Sequence, residues 1–263
     1  MIASHRVGTG EPLLLLHGIG HRWQAWQPVL DRLAEHHDVL AVDLPGFGAS
    51  ALPDGPVGMR DTVARLHAFV TGLGVERPHV AGNSLGGAIA LELAAAGLAA
   101  SVTALSPAGF ATPWEVRWAL GTLRMHRFTA RVPDPVLHRV ARSPRLRMLA
   151  FGMIVARPGL LDPDVAVADA RALRDCPGFP PVARAARGYR FTGDPEVPVT
   201  VAWGVKDRIL FPRQANRARR GLPGARHLAL PGCGHVPMSD APDLVARIIL
   251  ETTGALPRQA APV

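Results

Sequence analysis

Short apolar runs alternate with helix-period stripes along the first hundred residues. Leu13–Leu16 is an uninterrupted apolar run of strand length. Trp26, Val29, Leu30 and Leu33 then fall at i, i+3, i+4 and i+7, the spacing of one face of an amphipathic helix. Asp38–Val42 reads as a short strand. Met59, Val63, Leu66, Val70 and Leu73 mark the next helical stripe, closed by Gly72 and Gly74. Pro78–Ala81 and Ser101–Leu105 are further strand-like runs, the second stopped by Pro107, and Leu85–Leu98 between them reads as a small-residue helix. Strands alternating with helices predict an α/β class, with a mostly parallel sheet covered by helices on both faces.

The pattern changes near Ala111. Residues 111–190 hold no strand-like run. They hold helix-like stretches rich in Arg, Trp, Met and Leu, cut by prolines such as Pro113, Pro133, Pro144 and Pro163. Strand pattern resumes at Val197–Ala202 and again at Leu228–Leu230. The expected organisation is a first core segment at 1–110, a helical insertion at 111–192, a second core segment at 193–253 and a frayed Pro- and Ala-rich tail at 254–263.

Chemistry concentrates at the ends of the strand-like runs. Gly82-Asn83-Ser84-Leu85-Gly86-Gly87 is a G-x-S-x-G pattern between a strand and a helix, a turn that exposes a serine on strained backbone. Asp207 follows Val197–Ala202 within Trp203-Gly204-Val205-Lys206-Asp207, and His235 follows Leu228–Leu230 within Gly232-Cys233-Gly234-His235. Each sits at the C-terminal end of a strand, where open α/β sheets place their ligands. A serine beside a histidine whose ring is held by a carboxylate is an activated nucleophile: the imidazole takes the hydroxyl proton during attack and returns it to the leaving group. Asp240 and Asp194 are the alternative carboxylates. Cys233 reads as a small residue in a Gly-rich loop rather than a nucleophile.

With His17-Gly18-Ile19-Gly20 after the first strand and Asp43-Leu44-Pro45-Gly46-Phe47-Gly48-Ala49-Ser50 after the next, the chain resembles the α/β-hydrolase superfamily over roughly residues 10–110 and 196–252. The resemblance implies the α/β-hydrolase fold with a helical cap inserted over the site. It implies Ser84 as nucleophile, His235 as general base and acid, Asp207 as the orienting carboxylate, and the backbone amides of Ile19 and Leu85 as an oxyanion hole. His17, Asp43 and Ser50 are expected to organise loops. The elbow is similar to those of bacterial carboxylesterases and of ring-cleavage C–C hydrolases. Ser84 stands where haloalkane dehalogenases and epoxide hydrolases carry a carboxylate, and Val236 where hydroxynitrile lyases of this fold carry a lysine. Cleavage of a carboxylic ester, thioester or lactone is therefore expected. The alternatives are C–C hydrolysis, or a slow-turnover ligand-binding or cyclising protein. Family members begin with a β-hairpin, whereas only Met1–Gly10 precede the His-Gly strand here, so either the first strand is expected to be very short or missing, or the start codon is misplaced.

Composition refines this reading. The chain has 263 residues, 48% hydrophobic and 19% charged, which fits one such domain with an insertion. No apolar stretch approaches the ~20 residues of a membrane span, and no signal-peptide pattern opens the chain, so a cytoplasmic location is expected. Two cysteines suggest no disulfide framework. With no metal-ligand cluster, Walker loop or dinucleotide fingerprint, neither metal nor cofactor is expected. Lys206 is the sole lysine, an arginine bias typical of high-GC coding. The formal charge of +8 arises wholly within 111–190, where 14 arginines face 6 acids. That surplus suits a solvated arginine surface, or guidance of an anionic partner such as a carboxylated small molecule, a CoA ester or an acidic acyl carrier protein. Nucleic acid is not expected, since no nucleic-acid motif accompanies the charge. Trp114, Trp118, Met125, Phe128, Met148, Phe151 and Met153 are candidates for an apolar substrate pocket, with cap core as the competing assignment.

Overall fold

Alternate side chains of the strands feed two separate cores, one on each face of the sheet. The computed structural model describes residues 1–258. In β2 (Glu11–Leu16), Leu14 and Leu16 enter one core while Leu13 and Leu15 enter the other. In β3 (His37–Val42), Leu40 and Val42 part from Val39 and Ala41 in the same way. This two-residue alternation, with both sets apolar, is why the strands read as continuous hydrophobic runs.

Seven strands form one sheet in the order β1-β3-β2-β4-β5-β6-β7, adding β1 (Ser4–Val7), β4 (His79–Asn83), β5 (Ser101–Leu105), β6 (Val199–Gly204) and β7 (Arg226–Leu230). All neighbours pair in parallel except β1, which runs antiparallel to β3 with Ser4 opposite Val42. The first strand is thus present and four residues long. Its approach is fixed by the Ala3 amide, which donates to Ser50 Oγ at 2.8 Å, while the Ser50 hydroxyl donates to the Asp43 carbonyl at 2.7 Å.

Helices α1 (Gln27–Ala34) and α11 (Pro242–Thr253), the latter preceded by the single turn α10 (Pro237–Asp240), cover one face, burying Val29, Leu33, Val245 and Ile249. Helices α2 (Met59–Gly72) and α3 (Leu85–Ala95) cover the other, together with α9 (Arg213–Gly221). At the far end Gly254, with φ +89°, closes α11 in the left-handed conformation glycine tolerates. The Leu256 amide then bonds the Leu250 carbonyl, and its side chain packs on the core. The start of the expected frayed tail is therefore held in place, and residues 259–263 lie outside the described residues.

Between β5 and β6 the chain is helical: α4 (Pro113–Thr129), α5 (Asp134–Arg142), α6 (Pro144–Phe151), α7 (Pro163–Asp175) and α8 (Phe179–Ala185). Helix α4 opens with a capping box, in which Glu115 accepts from the Thr112 amide at 2.7 Å. Burial alone would raise the Glu115 pKa, but Arg217 and Arg213 of α9 bond the carboxylate and hold it down at about 2. That ion cluster ties the insertion to the sheet domain. A small core of Leu137, Ala141, Ala166 and Val167 joins α5 to α7.

Candidate functional site

The loops after β2, β4, β6 and β7 meet at one end of the sheet. Ser84 begins the β4–α3 turn with φ +56° and ψ −111°, a strained position for a residue with a side chain. Its glycines are dictated by contact. A Cβ on Gly82 would lie 2.1 Å from the Gly86 carbonyl oxygen, and one on Gly86 would lie 2.1 Å from that of Leu16. The turn is anchored by the Ser84 amide on the Leu105 carbonyl at 3.0 Å. Asn83 adds a brace: its Nδ2 donates to the carbonyls of Leu105 at 3.1 Å and His235 at 2.9 Å. Asn83 thus ties the serine turn to the histidine loop.

Asp207 is buried, and its two carboxylate oxygens are engaged on different sides. Oδ1 accepts the Ile209 and Leu210 amides at 2.9 and 2.8 Å. Oδ2 lies 2.8 Å from His235 Nδ1. The carboxylate can only accept, so Nδ1 carries the proton and the neutral ring presents Nε2 as its acceptor. The His235 loop is held from the insertion: the His235 amide donates to the Ile154 carbonyl at 2.8 Å. Asp240 completes that clasp. Its carboxylate accepts the amides of Ala156 and Arg157 from the insertion and of Gly234 at 2.7 Å. Asp240 is thus a loop clasp, and Asp194 is exposed on the surface.

His17 is fully buried between two backbone groups. Nε2 accepts the Leu44 amide at 2.9 Å, so Nδ1 donates to the Gly18 carbonyl at 2.7 Å. Burial pushes its pKa down to about 3, leaving a neutral brace that joins the first two loops of the site. Asp43 accepts the Trp23 and Ala49 amides at 2.7 and 2.8 Å and organises the second loop. Cys233 is buried, and burial raises its thiol to about 11.

Two cavities meet at Ser84. The smaller, of about 310 Å³, runs over Leu85 and Ile89 between Phe47, Leu120 and Ile209. The larger, of about 530 Å³, passes His235 and Asn83 and extends under α4 to α7. Ile19, Ser84 and Leu123 line both. No arginine or lysine lines either cavity. Among the described residues no cluster of His, Cys, Asp and Glu is placed to hold a metal ion, and no helix is long and apolar enough to cross a membrane.

The structure separates the candidate pocket residues. Met125 and Phe151 line the larger cavity. Phe128 and Met148 are instead exposed on the surface of the insertion, Trp114 and Trp118 are half-exposed against Phe211 of the segment after β6, and Met153 packs against a sheet core. The correction has a helical cause. On α4 the inward stripe is Val116, Ala119, Leu120 and Leu123, and the two tryptophans fall on the opposite face. Ile209 and Leu210, which the sequence reading passed over, line the smaller cavity because the Asp207 carboxylate turns their backbone toward it.

The chain belongs to the Alpha/beta hydrolase family, which it matches over residues 13–248. It is similar to an uncharacterized protein of Mycobacterium tuberculosis, 29% identical over 97% of this chain and 80% of that one. It is similar to Lipase 3 of Moraxella sp., 27% identical over 89% of this chain and 74% of the lipase. A thermophilic esterase from Thermogutta terrifontis shares the fold with a TM-score of 0.74, at 23% identity over 95% of this chain and 92% of the esterase.

Proposed function

We propose that this protein is a serine hydrolase that cleaves carboxylic esters, apolar on both sides of the carbonyl, through an acyl-enzyme formed on Ser84. The observation that carries the reading is the fixed Asp207 carboxylate, held by two amides and bonded to His235 Nδ1, with His235 and Ser84 on the same cavity wall. In this reading His235 Nε2 takes the Ser84 hydroxyl proton as Oγ attacks the ester carbonyl. The amides of Ile19 and Leu85 receive the oxyanion, and Asp207 stabilises the imidazolium. The imidazolium protonates the leaving alcohol, and water then releases the acid by the same path.

In this reading each cavity holds one half of the substrate. His235 borders only the larger cavity, so the leaving oxygen and its alcohol lie there under the helical cap. The acyl group then occupies the smaller cavity over Leu85 and Ile89. Neither cavity offers a cation, which favours an uncharged ester over a carboxylated one. The Asn83 amide, in an elbow similar to those of carboxylesterases and C–C hydrolases alike, donates to two carbonyls and so gives C–C cleavage no particular support.

The test is intact-protein mass spectrometry after a fluorophosphonate, followed by turnover of a panel of apolar esters and of a ring-cleavage dienoate. The expected result is one adduct on Ser84, absent in Ser84→Ala, with ester turnover. An adduct with turnover of the dienoate alone overturns the ester reading. No adduct on folded protein overturns the hydrolase mechanism in favour of ligand binding.

A further inference from the structure

The outer face of the insertion combines two features that soluble surfaces keep apart. On α4 the outward stripe carries Trp114, Trp118, Met125 and Phe128, with Arg117 and Arg124 between them; Trp114 and Trp118 lean on Phe211, and Trp118 Nε1 donates to the Arg208 carbonyl at 2.9 Å, which leaves Met125 and Phe128 as the open part of the stripe. Phe128 is 66% and Met125 60% exposed. Helix α5 adds exposed Val136 beside Arg139 and Arg142. Helix α6 adds Leu149, 82% exposed, with Leu146, Met148 and Arg145. These faces share one surface, because Met125, Val136, Leu146 and Leu149 are all exposed and yet line the same cavity as Ser84. They form its rim. Contiguous apolar exposure of this kind marks an interaction surface.

The charge on this face is uncompensated. The acids of α4 and α5 are spent elsewhere, Glu115 on Arg213 and Arg217, and Asp134 on Arg171 and Arg174. Among the described residues, none of Arg117, Arg124, Arg131, Arg139, Arg142 and Arg145 has a carboxylate partner. Phe128 stands in a shallow groove of about 340 Å³ with Arg124, Arg131, Arg184 and Arg187 around it. A soluble anion explains the arginines but not the aromatic and Leu rim. A second copy docked by the same face would bring two sets of unpaired arginines together.

We propose that the outer face of α4 to α6 docks on an anionic lipid bilayer, with the apolar rim entering the acyl boundary and the arginines meeting lipid phosphates. Exposed phenylalanine, methionine and leucine interleaved with arginine is the composition of a membrane-interface surface. The cavity mouth would then open onto the membrane, so that an ester dissolved in it reaches Ser84 without crossing water. Docking requires no turnover, so it stands or falls apart from the hydrolase reading.

The experiment is co-sedimentation with vesicles of phosphatidylcholine, with and without phosphatidylglycerol, at low and high salt. The intact protein is expected to partition to the anionic vesicles and to leave them as salt screens the charge. Arg124→Gln/Arg139→Gln/Arg145→Gln should lower partitioning by on the order of 100-fold, from about five-fold per arginine lost. Phe128→Ser/Leu149→Ser should lower it at unchanged net charge. All five residues are exposed, and thermal unfolding checks that the variants fold. No partitioning at low salt overturns the proposal. So does binding that survives Phe128→Ser/Leu149→Ser but is displaced by inorganic phosphate, which would make the groove a site for soluble phosphate groups. Concentration-dependent dimerisation abolished by Phe128→Ser/Leu149→Ser, with no vesicle binding, would assign the face to a second copy.

Discussion

Replacing Asp207 by Asn isolates the chemistry of the site from its scaffold. Oδ1 of Asp207 accepts two backbone amides, so an asparagine must keep its carbonyl oxygen there and turn its NH₂ toward His235. His235 Nδ1, 2.8 Å from the present Oδ2, then faces a donor and must become the acceptor. The ring proton moves to Nε2, which can no longer take the Ser84 proton. The known cost of this wrong tautomer in a serine triad is roughly ten-thousand-fold in kcat, or about 5 kcal/mol of transition-state stabilisation. Because both amides stay satisfied, global stability should barely move. Asp207→Ala, by contrast, strands two buried N–H groups at about 1–3 kcal/mol each. The assay is kcat and KM on the best ester, with urea unfolding in parallel. If Asp207→Asn keeps kcat within about tenfold of the parent while folding normally, Asp207 is not the orienting carboxylate and the mechanism is wrong.

Further tests address the scaffold. His17 has a folded pKa of about 3 against 6.5 unfolded, so the unfolded chain binds the extra proton between those values, and stability is full above pH 6.5 and falls as pH drops toward 3. From pH 7.5 to 5 the loss from this residue should be about 2 kcal/mol, and urea midpoints of His17→Gln should show a shallower fall. Cys233, raised to about 11, should resist iodoacetamide at pH 8 in the folded protein, and Cys233→Ser should keep full turnover; rapid labelling would contradict its burial. Gly82→Ala drives a Cβ to 2.1 Å from the Gly86 carbonyl oxygen, so Tm should fall by an amount equivalent to about 2–3 kcal/mol or the protein should not accumulate. Asp240→Ala frees the Gly234 amide from its 2.7 Å bond and detaches Ala156 and Arg157, so kcat should drop as the His235 loop loosens, with KM for small esters little changed.

What the sequence could reveal differs between the sheet domain and the insertion for a physical reason. Strands buried on both faces are apolar over most of their length, so β2, β3 and β5 are legible as short runs, with ends shifted by at most two residues. The Ser84 turn was legible because its constraint is local: Gly82 and Gly86 answer to atoms of the turn and of β2. The partners of Asp207 and His235 were harder, because they depend on contacts across the fold. The Ile154 carbonyl that holds His235, and the Asp240 clasp, join segments some eighty residues apart, and no spacing rule reports them. In α4 residue size was misleading. Trp114 and Trp118 suit a pocket by size, but they share their stripe with Arg117 and Arg124, whereas the stripe of Val116, Ala119, Leu120 and Leu123 meets its one charge at Arg127, whose guanidinium is bonded to the Leu173 and Cys176 carbonyls. That stripe is the buried one, since an arginine is carried inward only with a partner. Charge rather than size therefore orients α4, and it leaves Met125 and Phe128 facing outward among arginines, the arrangement an anionic lipid surface would satisfy.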